Sequence, residues 1–146
     1  MAVVVTGMEG LLVSLNNIAD RSSRGARSEL QKGAIEIRNL ARRMAPVDEG
    51  NLEESIKEGS FRGVDGRNVY TVEVDETVVS STGGVVGDYA ERMHEGDYHL
   101  GLKSEVKQAG NPDIYVGRKF LERAMEDLDD EIKRKVEAKV SQGIGH

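Results

Sequence analysis

Apolar positions recur every third or fourth residue in two long stretches of the chain, and between them the period falls to two. The clearest run lies near the C-terminus. Phe120, Ala124, Leu128, Ile132, Val136 and Val140 stand four apart, a continuous ridge that predicts a helix from Arg118 to Val140. Its early half is acidic (Glu126, Asp127, Asp129, Asp130, Glu131) and its end basic (Lys133, Arg134, Lys135, Lys139), the order the helix dipole favours. Residues 141–146 read as a frayed tail. A second stripe, Ala26, Leu30, Ala34, Ile37 and Ala41, is flanked by bases. That helix is expected to stop near Ala45, because Pro46 steers the preceding residue out of the α region. Upstream, Val3–Val5 favour a short strand. Thr6 and Glu9 fit a capping box, and Leu11, Leu12, Leu15, Ile18 and Ala19 at helical spacing predict a further helix, broken around 20–25.

After Pro46 the chain turns through Val47, Asp48, Glu49 and Gly50. Asn51 with Glu54 then suits a second capping box, opening a short helix with Leu52 and Ile56 inward and Gly59 as its end. Tyr70, Val72 and Val74 alternate with Thr71, Glu73 and Asp75, the period of a half-buried strand, and Phe61–Val64 is its expected hairpin partner. Val78 and Val79 continue the strand or start another. Asp88 can cap a short helix carrying Tyr89, Ala90 and Met93 inward. Residues 96–116 read as a loop, long enough to suggest a functional role. The fold class that follows is α+β in a single domain, residues 1–146. A long N-terminal helix and a C-terminal helix pack on a small antiparallel sheet, with a long assembly loop.

Composition sharpens the picture. Apolar residues make up 38% of the chain, aromatics 4%, and mean hydropathy is −0.47, while glycine reaches 17. So small a stock of core-forming side chains hints at burial against neighbouring subunits. With no cysteine, disulfides and thiolate-bound metals are excluded. No run approaches the ~18–20 apolar residues of a membrane span, and no signal-peptide pattern opens the chain; a soluble protein made inside the cell is expected. The net charge of −6 is unevenly spread. Residues 21–45 carry seven bases against two acids, whereas 46–146 carry 13 bases against 22 acids. A basic segment and a larger acidic surface suit charged partners.

Candidate chemistry is sparse. His94 and Glu95 adjoin in HEG and His99 follows, but no HExxH or comparable ligand spacing accompanies them. The serines lie in polar stretches without the strand–turn–helix context of a nucleophile. GGVVG at 83–87 lacks the lysine of a phosphate-binding loop. No catalytic, cofactor or metal site is expected, although a small hydrolase using His94 and Glu95 stays open as a rival. A second rival is a small nucleic-acid-binding protein using the basic helix 21–43. Against it stand a pI near 5.2 and the absence of aromatic interleaving.

Three stretches together resemble one family. ARRMAPVDEGNLEESI, from Ala41 to Ile56, is similar to its A-P-V-D-T-G-x-L-x-x-S-I segment. DYAERMHEGDYHLG, residues 88–101, is similar to its Y-A-x-x-x-(H)-E-x-G region, and GRKFLERAMEDL, residues 117–128, to its C-terminal F-L-x-x-A helix start. This is the tail-component or tail-completion family of tailed bacteriophages, found in the head–tail joining neck; the minor tail protein Z of phage lambda is similar in kind. Glu49 departs from the family's usual threonine, and Met93-His94 from the aliphatic residue and the following residue that often stand there. The resemblance implies a non-enzymatic virion protein assembled in the host cytoplasm. It implies a ring of six copies between a head–tail connector or head-closure protein and a tail terminator or tail tube protein, with DNA passing through the lumen. Pro46, Asp48, Gly50 and Leu52 would set the structural corner. Arg38, Arg42, Arg43, His94, Glu95, Tyr98, Arg118 and Phe120 are the candidate subunit contacts.

Overall fold

A computed structural model describes residues 12–15, 24–47, 51–62, 68–75, 77–79, 85, 90, 93–96 and 99–144. In chain order these form β1 (Leu12–Leu15), α1 (Arg24–Met44), α2 (Asn51–Ser55), β2 (Ile56–Arg62), β3 (Asn68–Val74), α3 (Leu102–Gly110) and α4 (Phe120–Ile144). The architecture is α+β, as the alternating periods imply.

Among the described elements, helices α1 and α4 make the most extensive contact. On the α1 stripe Leu30, Ala34, Ile37 and Ala41 are buried as their spacing predicts and Met44 joins them, while the Ala26 side chain lies outside those described. The α4 ridge contributes Phe120, Ala124, Ile132 and Val136, with Leu128 partly buried against the same cluster. The pair runs antiparallel, since Gly25 abuts Lys139 while Gly33 abuts Ile132. At Gly33 a Cβ would lie 2.9 Å from both Cδ1 and Cγ2 of Ile132, so only glycine admits the helices this close.

The sheet has strand order β1-β3-β2 and is antiparallel throughout. Val72 and Val74 of β3 and Ile56 of β2 face the helices, while Glu73, Lys57 and Glu58 are exposed. The register pairs Ile56 with Val74 and Arg62 with Asn68. Just beyond β3, Asp75 accepts bonds from the Thr77 N–H at 3.0 Å, its hydroxyl at 2.6 Å and Lys57 Nζ at 3.1 Å. Those bonds, Thr77's first, hold its carboxyl down to about 2.

The structure corrects several expectations. Where Leu11–Ala19 predicted a helix, residues 12–15 are a strand lying along β3. Pairing with that strand's otherwise open edge satisfies backbone groups that a solitary short helix would leave to water. Helix α2 stops at Ser55, not Gly59: the Ser55 hydroxyl donates to Leu52 O at 2.6 Å, and Ser55 O accepts Asp75 N–H at 2.7 Å. Ile56 is inward as expected, but as the first residue of β2, which therefore starts well before Phe61. The expected loop 96–116 contains α3. Helix α4 opens at Phe120 and runs through Ser141 to Ile144, where a frayed tail was expected. Val79 forms an isolated bridge with Val85 instead of a longer strand. The Val3–Val5 strand, the Thr6–Glu9 box and the Asp88 cap lie outside the described residues.

Candidate functional site

The C-terminal end of α1 is where the chain does something unusual. The last carbonyls of a helix have no partner within it. Here they are met from far along the sequence. Lys107 Nζ donates to Arg42 O at 2.5 Å and Ala45 O at 2.7 Å, and its ammonium also pairs with the Glu53 carboxylate. Gly117 N–H donates to Met44 O at 2.8 Å. Ser104, itself buried, brackets the next residue: its Oγ accepts the Val47 N–H at 2.8 Å and donates to Val47 O at 3.2 Å. Pro46 is buried within this grip and Leu52 lies in the core. Asp48 and Gly50, the other two expected corner residues, lie outside the described residues.

The gripping residues Ser104 and Lys107 share one face of α3 with Gln108. Gln108 folds the following turn beneath it, donating to Ile114 O at 2.6 Å and accepting the Val116 N–H at 2.7 Å. Arg43 closes the arrangement by reaching Asp113 Oδ2 at 2.9 Å and Asn111 Oδ1 at 3.2 Å. On the opposite face stand Leu102, Val106 and Ala109, at spacings of four and three. Leu102 is 77% exposed and Val106 65%. Helix α3 is thus inside out: its polar side faces the protein and its apolar side faces solvent. Burial lowers the affinity of the Lys107 amine for its proton, the Glu53 carboxylate opposing that effect.

The expected contact residues are distributed differently. Arg38 bonds Glu58 Oε2 at 2.5 Å and Arg42 bonds Ile56 O at 2.9 Å, so with Arg43 three guanidiniums of the basic helix are engaged within the protomer. A nucleic-acid reading of α1 calls for those groups on phosphates. His94 and Phe120 are wholly buried, not surface contacts. Their rings meet edge to face, centroids 4.8 Å apart at 82°. His94 Nδ1 donates to Glu95 Oε1 at 2.9 Å, Glu95 in turn pairs with Lys119, and His94 O accepts the Lys119 N–H at 2.7 Å. These bonds hold Lys119 at a left-handed φ of 60° immediately before α4. Arg118 O accepts from Arg123 Nε at 2.8 Å. Tyr98 lies outside the described residues.

This arrangement packs the His94 ring into the interior. Desolvation dominates and depresses its pKa, the bond and charge of Glu95 oppose it, and Lys119 and Glu122 act more weakly in opposite senses. A depressed histidine favours the fold while neutral, so its contribution is present above the unfolded-state pKa and is lost as pH falls through and below it. Unfolding free energy is therefore expected to drop between about pH 7.5 and about pH 5.5, above the range where carboxylates titrate. His94→Leu should flatten that slope, measured by urea unfolding at each pH. An unchanged slope would rule out His94 as its source.

Among the described residues no cluster of acids and histidines could hold a metal ion, and no helix is long and apolar enough to cross a membrane.

Sequence comparison gives this geometry a context. A family model described as "Bacteriophage HK97-gp10, putative tail-component" matches residues 9–91, a segment that spans β1 through β3 and includes the corner. No curated protein and no solved structure matches the chain.

Proposed function

This chain belongs to the HK97-gp10-like family of bacteriophage tail components, and we propose that it is a subunit of the phage neck that acts by binding alone. Copies form a ring that completes the tail and joins it to the head connector or head-closure protein on one side. On the other side the ring meets the tail terminator or tail tube. DNA passes through the lumen without sequence-specific contacts, and exposed acids such as Glu126, Asp127 and Asp130 on α4 would keep it from adhering.

The observation that carries this reading is the inside-out helix α3. A protomer with only 38% apolar residues leaves Leu102 and Val106 in water while committing Ser104 and Lys107 to its interior. That is a sensible distribution only if another surface covers the apolar side. The test is the mass of the purified protein by light scattering across a concentration series, alone and with connector and tail-terminator proteins. A discrete ring-sized species, or a monomer converted to one by those partners, is the expected result. A monomer indifferent to concentration and partners overturns the reading.

A further inference from the structure

We infer that His94 is an acid-operated latch: neutral, it ties the start of α4 to residues 93–96, and on protonation it lets that joint open while the rest of the fold stands. The observation that carries this is the second ring nitrogen. With Nδ1 donating to Glu95 Oε1 at 2.9 Å, Nε2 is the bare, accepting nitrogen, and it is buried without a hydrogen-bond partner. Orphans of this kind are uncommon in a native interior. An unpaired acceptor costs less there than an unpaired charge. A proton arriving at Nε2 makes the ring an imidazolium whose new N–H faces no acceptor, in a wholly buried site shared with Phe120. The state that relieves this is one in which the ring reaches water.

The joint itself is held at few points. His94 O accepts the Lys119 N–H at 2.7 Å, and Glu95 links the imidazole to the Lys119 ammonium. Lys119 sits at φ 60°, a conformation that costs a lysine energy unless its surroundings impose it. Losing His94 removes that constraint one residue before α4 begins. From there the loosening has a route. Arg123, whose N–H donates to Lys119 O at 2.8 Å, holds the carbonyls of Tyr115, Gly117 and Arg118, and Gly117 N–H holds Met44 O at the end of α1. Three charged groups act on the ring. Glu95 favours the proton, Lys119 opposes it and Glu122 favours it weakly, but burial outweighs them all. Lys119 holds the Glu95 carboxyl below the usual carboxylate range, and Glu95 in turn holds the Lys119 ammonium charged. Of these bonded partners His94 is therefore the one that changes charge between pH 7.5 and pH 5.5, around the ordinary histidine value of about 6.5. One proton bound in the open form and not in the closed raises the open population roughly five- to tenfold over that interval.

Amide hydrogen exchange on the full-length protein reads the latch directly, at pH 7.5 and pH 5.5, corrected for the intrinsic pH dependence of exchange and repeated at low urea concentrations. On acidification the Lys119 amide is expected to lose protection roughly five- to tenfold, through an opening that low urea does not promote. The β3 amides should exchange only through urea-promoted global unfolding. His94→Gln cannot titrate, so in that variant, its fold checked by circular dichroism, Lys119 protection should no longer depend on pH. A Lys119 amide as protected as β3, with the same urea dependence, would mean that His94 emerges only on global unfolding and overturns the latch. Lys119 protection indifferent to pH in the unaltered protein overturns it too, as does a pH dependence that persists in His94→Gln. Should the variant fail to fold, imidazole NMR of the unaltered protein decides. A second, protonated His94 signal that grows with acid in step with Lys119 exchange supports the latch. A single signal titrating near the ordinary histidine value, with exchange unchanged, overturns it.

Discussion

Phe120→Ala is expected to destabilise the protein by about 3–5 kcal/mol, the cost of emptying a fully buried aromatic site, out of a total that for a domain is usually about 5–15 kcal/mol. Three things depend on that ring. It is the first residue of α4, where the helix is set against the core. It gives buried His94 its edge-to-face partner. It also follows Lys119, whose left-handed backbone is tolerable only because its neighbours fix it on both sides. Phe120→Leu keeps most of the volume and should cost less than about 2 kcal/mol. Urea unfolding of Phe120→Ala, His94→Ala and the double variant would separate packing from ring contact, with a coupling of about 0.5–1.5 kcal/mol expected between them. If Phe120→Ala lost under about 1 kcal/mol, Phe120 would be peripheral and its family-based assignment to a subunit contact would regain force.

That assignment shows where sequence reasoning reaches its limit. The F-L-x-x-A start of α4 and the HEG segment are distinctive as a pattern, but a pattern does not say whether it specifies a surface or the interior beneath one. The stripes on α1 and α4 and the alternation of β3 were legible because one periodicity dominates in each. Around Leu12 the apolar positions satisfy helical spacing, yet four residues there pair with β3; a strand edge awaiting a partner is not written in the local sequence. Helix α3 was hidden for another reason. Gly96, Gly101, Gly110 and Pro112 frame it as a loop, and its apolar stripe of Leu102, Val106 and Ala109 is short. The stripe was nonetheless the available signal. That its polar face turns inward depends on the end of α1, roughly sixty residues earlier in the chain, and no local pattern encodes that.

Lys107 is the residue on which this hidden feature turns, and Lys107→Met is expected to cost about 2–3 kcal/mol, since it removes charge-assisted bonds and leaves two carbonyls at a helix end unpartnered. Methionine retains most of the stem's packing volume, so the loss isolates the ammonium's role. Its exposed neighbour is the control: Lys103→Ala should change stability by no more than about 0.5 kcal/mol. Lys107→Arg should recover little, because a planar fork cannot converge on Arg42 O, Ala45 O and Glu53 as a compact ammonium does. The readout specific to the corner is amide exchange. With the grip released, the Val47 amide and the amides of residues 102–110 should exchange faster, while those of β3 stay protected. The apolar patch itself is chemically intact in this variant. If α3 is the docking element, Lys107→Met should therefore weaken assembly without altering a contact residue, by leaving Leu102 and Val106 on a helix no longer held in place. Lys107→Met as stable as Lys103→Ala, with unchanged exchange over 102–110, would mean that α3 is positioned by something other than its polar face.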